Sequence, residues 1–543
     1  MPNSIPDPAN NSQAAGTQPA KYSSPQQITP PHLGEIETAL DQIARQKFAE
    51  VREDGQWLAE FSRGSYSLRG DAQSLILHLR YGEHSVVRRV VRLAEQTNDR
   101  VVLEVMRFGQ TKPGRLEFVK IDARKPRNRI AAESFRRRLA RLLAENFPDA
   151  EIDSLTATPD SARYFSGLYI RGLMVENGVR WALLAAPPRS NLATLNGVLT
   201  YGLAWLHWNR EHIPNLQIAG LRIFVPQEAA SELQHQARWL NERARTEVFT
   251  LAENSDQIER CDPADTGNLQ SDLIPRWEIE KMLGRGQVAI QQIRDLAPQS
   301  ADYVAAGVEL ETDDVPLRFL GLEFARLTNG MLQLDPKRVA AKDEGEPGDE
   351  GHVSGDTSGT IVPADREVAL KNSLDELSLR RNPLAGDTRH PLYRSAPERW
   401  LETLILTDPS RLDATLDPRF LYSQVPAFAH SHQGIMDLVG VTRKGRAVII
   451  ELKVSEEIQL PAQGLRYWMR VKQHLDSGDF ARNGYFPGIE LIKQPPALWL
   501  VAPSLHFHPA TGLILQYFSP QIEVTRIGIN ENWRRGIRVA FRK

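Results

Sequence analysis

The chain has 543 residues, 41% hydrophobic and 25% charged, with 66 Lys and Arg against 68 Asp and Glu for a formal charge of −2. That length exceeds a single core and points to about three domains, while the near-zero charge excludes a globally basic coat for nucleic acid and leaves local grooves open. Cys261 is the only cysteine, which excludes internal disulfides and zinc ribbons and is compatible with a cytoplasmic location.

In chain order, residues 1–33 are rich in Pro, Asn, Ser and Gln and read as a disordered tail. They carry neither the basic start nor the apolar run of a signal peptide. No apolar stretch reaches the ~18 residues of a membrane span; "VLTYGLAWLHW" is too short and reads as a buried helix. Residues 34–125 form a β-rich region, opened by a helix expected over Glu35–Glu53 and followed by alternating runs such as "SLILHLRYG" and "RVVLEVMRF". Residues 126–250 give a basic helix at "AAESFRRRLARLLAENF", two strands, an apolar helix at "LATLNGVLTYGLAWLHW" and a strand "GLRIFVP". Residues 251–335 read as an α/β extension of undefined fold. Its "GRGQ", Gly284–Gln287, lacks the Gly-Lys-Ser/Thr of a phosphate loop, so ATP hydrolysis is unsupported. Residues 336–389 read as a linker, because "KDEGEPGDEGHVSGDTSGT" holds six acids and five glycines in nineteen positions.

Residues 390–543 form the last domain. A helix at "APERWLETLILTD" is followed by a loop containing "LYSQVPAFAH". Then come the strand "GIMDLVGVT", a turn at Lys444-Gly445, the strand "RAVIIELKV", the helix "LPAQGLRYWMRVKQHL" and the strand "PALWLVAPS". Helices alternating with strands predict an α/β fold with a mixed sheet. The apolar strand "RAVIIELKV" carries two charges two residues apart, Glu451 and Lys453, which share a face by the period of two. Asp437 on the neighbouring hairpin strand adds a second carboxylate. Paired carboxylates suit a hard divalent ion such as Mg²⁺, and a lysine beside them can neutralise charge on a phosphorus under attack. Gln463 and Tyr467 lie i, i+4 on the following helix and share a face. Glu398 and Glu402 on the preceding helix are four apart, so either can face the site; Glu402 is the favoured one.

The order Glu402, Asp437, Glu451-x-Lys453, Gln463-x-x-x-Tyr467 resembles the PD-(D/E)XK nuclease superfamily. It is most similar to the branch with a Gln-x-x-x-Tyr helix, which includes RecB-type and NucS/EndoMS nucleases. The resemblance covers about Pro391–Ser504, with "MD" at Met436-Asp437 in place of the literal "PD". It implies a restriction-endonuclease-like αβββαβ core and Mg²⁺- or Mn²⁺-dependent hydrolysis of nucleic-acid phosphodiesters, with DNA the expected substrate. It makes Asp437 and Glu451 metal ligands, Lys453 the catalytic lysine, Gln463 and Tyr467 an accessory pair and Glu402 the first-helix acid. The alternative is a catalytically silent nucleic-acid- or protein-binding module of the same fold. Endo- versus exonuclease action stays open, as do a homodimer and partner proteins of a repair or defence system.

The N-terminal half repeats the plan in faded form. "ESFRRRLARLLAENF" lies opposite "ERWLETLILTDPS", and "GLYIRGLMVENGVRWALLAAPP" opposite "GIMDLVGVTRKGRAVIIELKV". The Glu-Leu-Lys position reads Leu-Ala-Ala or Ala-Ala-Pro, which predicts a degenerate nuclease-like α/β domain without the metal acids. A three-stranded meander flanked by helices is the structural requirement of this repeat.

Basic clusters suggest phosphate contacts. Arg124–Arg141 holds eight basic residues and one acid, and from Pro391 onward 19 basic residues face 14 acids. Arg466 and Arg470 on the Gln-x-x-x-Tyr helix, and Arg534, Arg535 and Arg538 near the C-terminus, are the candidate contacts. His430 and His432, with no third ligand beside them, read as loop histidines. Trp181, Trp205, Trp208 and Trp468 read as core.

Overall fold

The computed structural model describes residues 33–334 and 364–543, apart from 46–48, 54–55, 62–64, 71–74, 82–83, 98, 107–112, 121–126, 161–164, 166, 189, 214–216, 253–256, 265–271, 310–313 and 427–434. The expected tail (except Leu33), the acidic Gly-rich run, His430 and His432 lie outside the described residues.

Helix α1 (Leu33–Ala44) places Ile36, Ala39, Leu40 and Ile43 at helical spacing, so one stripe is buried. The stripe packs on an antiparallel sheet of β1 (Ala49–Glu53), β2 (Gln56–Glu60), β3 (Tyr66–Gly70), β4 (Leu75–Tyr81), β5 (His84–Gln96), β6 (Arg100–Met106) and β7 (Gly114–Lys120), in the order β2-β1-β7-β6-β5-β4-β3. The helix expected to run to Glu53 therefore stops at Ala44. Ala49 and Val51 are needed inside, and their alternation is that of a strand between β2 and β7.

A first α/β unit comprises α2 (Arg127–Asn146), β8 (Ala150–Thr156), β9 (Ile170–Glu176), β10 (Val179–Ala185), α3 (Leu192–His212), β11 (Ile218–Pro226), α4 (Gln227–Ala237), β12 (Thr246–Leu251) and β13 (Ile258–Arg260). After it come α5 (Arg276–Leu296) and an antiparallel four-stranded sheet, β14 (Val304–Ala306), β15 (Val315–Phe319), β16 (Leu322–Thr328) and β17 (Met331–Leu334). Gly284–Gln287 lies within α5. The stretch expected to be linker up to residue 389 holds a helix, α6 (Ala364–Arg380), whose Leu370, Leu374 and Leu377 are fully buried against the four-stranded sheet. Only the first part of that stretch has linker composition; the second is amphipathic.

The second α/β unit comprises α7 (Pro397–Thr407), β18 (Leu416–Pro426), β19 (Ile435–Thr442), β20 (Ala447–Leu452), α8 (Leu460–Ser477), β21 (Ala497–Pro503), β22 (Val524–Ile529) and β23 (Val539–Arg542). Leu421–Pro426, expected in a loop, belongs to β18, an edge strand against β19. The two units share one topology. The sheets run β13-β12-β11-β10-β9-β8 and β18-β19-β20-β21-β22-β23. In both, an antiparallel three-stranded meander is followed by two parallel pairings and a final antiparallel one. In each, a helix precedes the meander and another links its third strand to the fourth.

The units pack against each other through α3, α4 and α8, and a single apolar cluster runs from Trp205 and Leu203 to Trp468 and Leu465. The Trp239 and Trp468 rings meet edge to face at 4.6 Å. Asn241 donates from Nδ2 to the carbonyls of Gln516 and Phe518, at 2.8 and 3.1 Å. No helix among the described residues is long and apolar enough to cross a membrane.

Candidate active site

Strand β20 reads Ala-Val-Ile-Ile-Glu-Leu and is buried at every position, because β19 and β21 cover its edges and helices cover its faces. The β19–β20 turn closes with Thr442 N–H donating to Arg446 O at 2.8 Å, and Gly445 supplies φ +83°. A Cβ there would lie 2.1 Å from Glu490 O, so only glycine fits. This turn sets Leu438 opposite Ile450 and brings Asp437 alongside Glu451.

Glu451 is only 2% exposed. Its Oε1 accepts from Lys453 Nζ at 3.1 Å, and Lys453 also donates to Leu452 O at 3.2 Å. Burial, reinforced by the Asp437 charge, pushes the Glu451 carboxyl up to about 8. Asp437 Oδ2 accepts from Leu452 N–H at 2.9 Å, and burial raises its acid as well. Burial works against the Lys453 ammonium, but Glu451 and Asp437 outweigh it and hold its proton more firmly than usual.

Both first-helix acids approach this point. Glu402 is 3% exposed, accepts from Arg399 Nη1 at 2.8 Å, and is pushed up to about 7 by burial, with Asp437 adding to the rise. Glu398 Oε1 accepts from Val454 N–H at 3.4 Å, next to Lys453. From the other side, α8 brings Gln463 and Tyr467. Gly464 lets the helix close on the sheet, since a Cβ there would meet Leu500 at 2.9 Å. Tyr467 is buried, and its hydroxyl is held protonated by burial and by Glu451. The side chains of Glu402, Asp437, Glu451, Lys453 and Tyr467 therefore lie around one end of the β19–β20 pair, with Gln463 one turn before Tyr467 on α8.

Three buried oxygens in this group, Glu402 Oε1, Glu451 Oε2 and Gln463 Oε1, have no hydrogen-bond partner among the described residues. Buried acceptors without donors are costly and call for a cation or water. No group of three or more His, Cys, Asp or Glu side chains among the described residues forms a ligand set by itself.

The candidate phosphate contacts divide. Arg470 is 3% exposed and pairs with Glu232 of the first unit at 2.7 Å. Arg466 is also buried and donates to Asn196 O at 3.3 Å. Arg470 joins the units in an ion pair, which corrects its expected role as a phosphate contact, whereas Arg466 reaches the first unit but also places its charge near Glu451. Sequence spacing could not show this, because it does not reveal that α8 faces a second unit. Arg535 and Arg538 are exposed and Arg534 is half-buried. In the basic α2, Arg136 and Arg137 pair with Glu133 at 2.7 and 3.2 Å, while Arg124 and Lys125 lie outside the described residues. Trp181, Trp205 and Trp468 are buried, and the Trp468 Nε1–H donates to Pro496 O at 2.7 Å.

The first unit shows what the same framework does without the charges. Leu184 pairs with Ile223 as Glu451 pairs with Leu500, and Ala186 N–H donates to Phe224 O as Lys453 N–H donates to Val501 O. Of the two alignments, Leu184-Ala185-Ala186 therefore occupies the Glu-Leu-Lys place. Its hairpin turns at Asn177-Gly178, one residue shorter, which sets Arg171 across from Leu184, where the second unit has Asp437. Arg171 is buried, donates to Thr158 O at 2.6 Å and lies over the Phe165 and Trp205 rings at 4.9 and 5.5 Å. A guanidinium stands where a cation ligand would be. The one-residue turn difference hid this substitution from an ungapped alignment.

Comparison with protein-family models, with curated proteins and with solved structures finds no match to this chain.

Proposed function

We propose that the second α/β unit is a metal-dependent nuclease that hydrolyses phosphodiester bonds of DNA. The observation that carries this is the set of three donorless buried oxygens, on Glu402, Glu451 and Gln463, beside Asp437 and Lys453. A core has no structural use for such a group: the first unit keeps the same strands with Leu184 and Ala186 in place of Glu451 and Lys453. The donor set fits Mg²⁺ or Mn²⁺, which take oxygen ligands, need only one or two carboxylates and retain waters. Asp437 and Glu451 would hold the ion, with Glu402 and Gln463 offering further oxygens. When bound, it supplies Lewis-acid polarisation of the phosphodiester and a water of lowered pKa.

The chain's own residues do the rest. Lys453, protonated and fixed by Glu451, places positive charge where negative charge builds on the phosphorus. Arg399 holds Glu402 in place through its 2.8 Å hydrogen bond. Tyr467, held protonated, can donate from its hydroxyl and cannot serve as a phenolate base.

Purified chain incubated with Mg²⁺ or Mn²⁺ and labelled single- and double-stranded DNA and RNA tests this. Cleavage of DNA that disappears in chelator and falls at least about a hundredfold in Asp437→Ala and Lys453→Ala is expected. Absence of cleavage favours the silent binding module, and cleavage that survives both substitutions defeats the nuclease reading of this site.

A further inference from the structure

Two adjoining clefts of about 440 and 300 Å³ open on the second α/β unit, sharing Asn532 and Arg535 in their walls. Arg394, Arg534 and Arg535 line the larger; Arg411, Arg535 and Arg538 line the smaller. Arg534 lies over the rings of Trp533, Tyr393 and Trp400, at 4.3, 5.0 and 5.2 Å. Aromatic stacking fixes this guanidinium without neutralising it. Its Nε is buried without a hydrogen-bond partner, and Arg534, Arg535 and Arg538 form no ion pair among the described residues. The acid in the cleft wall, Glu531, is committed elsewhere: it accepts from Leu505 N–H at 2.9 Å and lies 3.5 Å from His506.

The same contacts join the clefts to the carboxylates. His506 Nδ1 is 2.6 Å from Val454 O, beside Lys453, and Trp400, under Arg534, is on the helix that carries Glu402. We propose that these clefts bind the phosphate backbone of one nucleic-acid strand, with Arg534, Arg535 and Arg538 as its contacts, and lead that strand into the carboxylate site. The proposal deepens the nuclease reading, which supplies the identity of the polyanion. One guanidinium held by aromatic stacking, with two exposed ones in the same cleft walls, is an arrangement that phosphate recognition can use.

The test is fluorescence anisotropy of a labelled single-stranded DNA oligonucleotide with the full chain in chelator, over a salt titration. Arg535→Gln/Arg538→Gln changes exposed side chains only. It is expected to weaken binding about tenfold and to reduce the slope of log K against log[salt] by about 1.4. Arg535→Lys/Arg538→Lys is expected to keep the slope, and Arg137→Gln/Arg141→Gln on α2 to change neither quantity. Unchanged affinity and slope in Arg535→Gln/Arg538→Gln, an equal loss in the α2 variant, or no binding by the unmodified chain overturns the proposal. Because no metal is present, these results are separate from cleavage. Binding that maps to the arginines in a chain that cuts nothing defeats the nuclease reading alone; cleavage with unaltered binding defeats this proposal alone.

Discussion

At Glu451 and Glu402 the proposed function works against stability. Each is a buried carboxyl whose acid is raised by desolvation, to about 8 and about 7. The folded chain therefore holds these protons more tightly than the unfolded one, whose carboxyls titrate near 4.5. As pH rises from about 4.5 to 8 the unfolded state releases its protons first, so these groups lower stability across that window. Lys453 has the opposite consequence: its contribution is complete below its ordinary range near 10.5 and is lost only above it. In chelator, thermal midpoints should fall from pH 5 to pH 8, by the equivalent of a few kcal/mol. Glu451→Gln should flatten that fall and raise the midpoint at pH 8. A flat profile in the unmodified chain would contradict the burial argument. Asp437, Glu451 and Lys453 were legible in the sequence because charges interrupt an apolar strand. Arg171 was not, because its meaning depends on a turn one residue shorter than its counterpart.

At the scale of elements, α7 carries Glu402, and its start is fixed from outside its own unit. Arg381, just after α6, is fully buried and donates to the carbonyls of Phe319, Leu320, Leu392, Ser395 and Ala396 at 2.6–3.3 Å. Its guanidinium lies 4.6 Å from the Trp400 ring, tying the four-stranded sheet to α7. Arg381→Met leaves those carbonyls without their donor. It should cost at least about 3 kcal/mol by denaturant unfolding and reduce activity more than a surface substitution of similar cost. A change under about 1 kcal/mol would show that α7 is held by packing alone. The helices and the central strands of the second unit followed from apolar periodicity and turn residues. Strand β18 did not, because Leu416–Pro426 sits at a sheet edge where one side needs no apolar partner. Helix α6 was obscured by the acidic run before it, whose composition was extended too far along the chain.

The described residues form a seven-stranded β-sheet domain, two α/β units of one topology joined through equivalent helices and a shared core, and an antiparallel four-stranded sheet between those units in the chain. Buried Arg470 and part-buried Glu232 form an ion pair across the junction of the two units at 2.7 Å. Arg470→Ala strands the partner carboxylate and should cost about 3 kcal/mol, measured by chemical denaturation, and Arg470→Lys less. No loss would mean that apolar contacts alone hold the units together. Carboxylates and lysine occur together in the second unit, whereas the first holds Arg171, Leu184 and Ala186 at the corresponding places. One chain should therefore offer one centre, and supercoiled plasmid should pass through nicked circles before linear DNA; direct linearisation would require two centres acting together. The most direct test of the central claim is calorimetric titration of Mn²⁺ into the full chain and into Asp437→Asn/Glu451→Gln. One ion bound per chain in the first and none in the second is the predicted result. No binding to the unmodified chain, or undiminished binding to the variant, would contradict it.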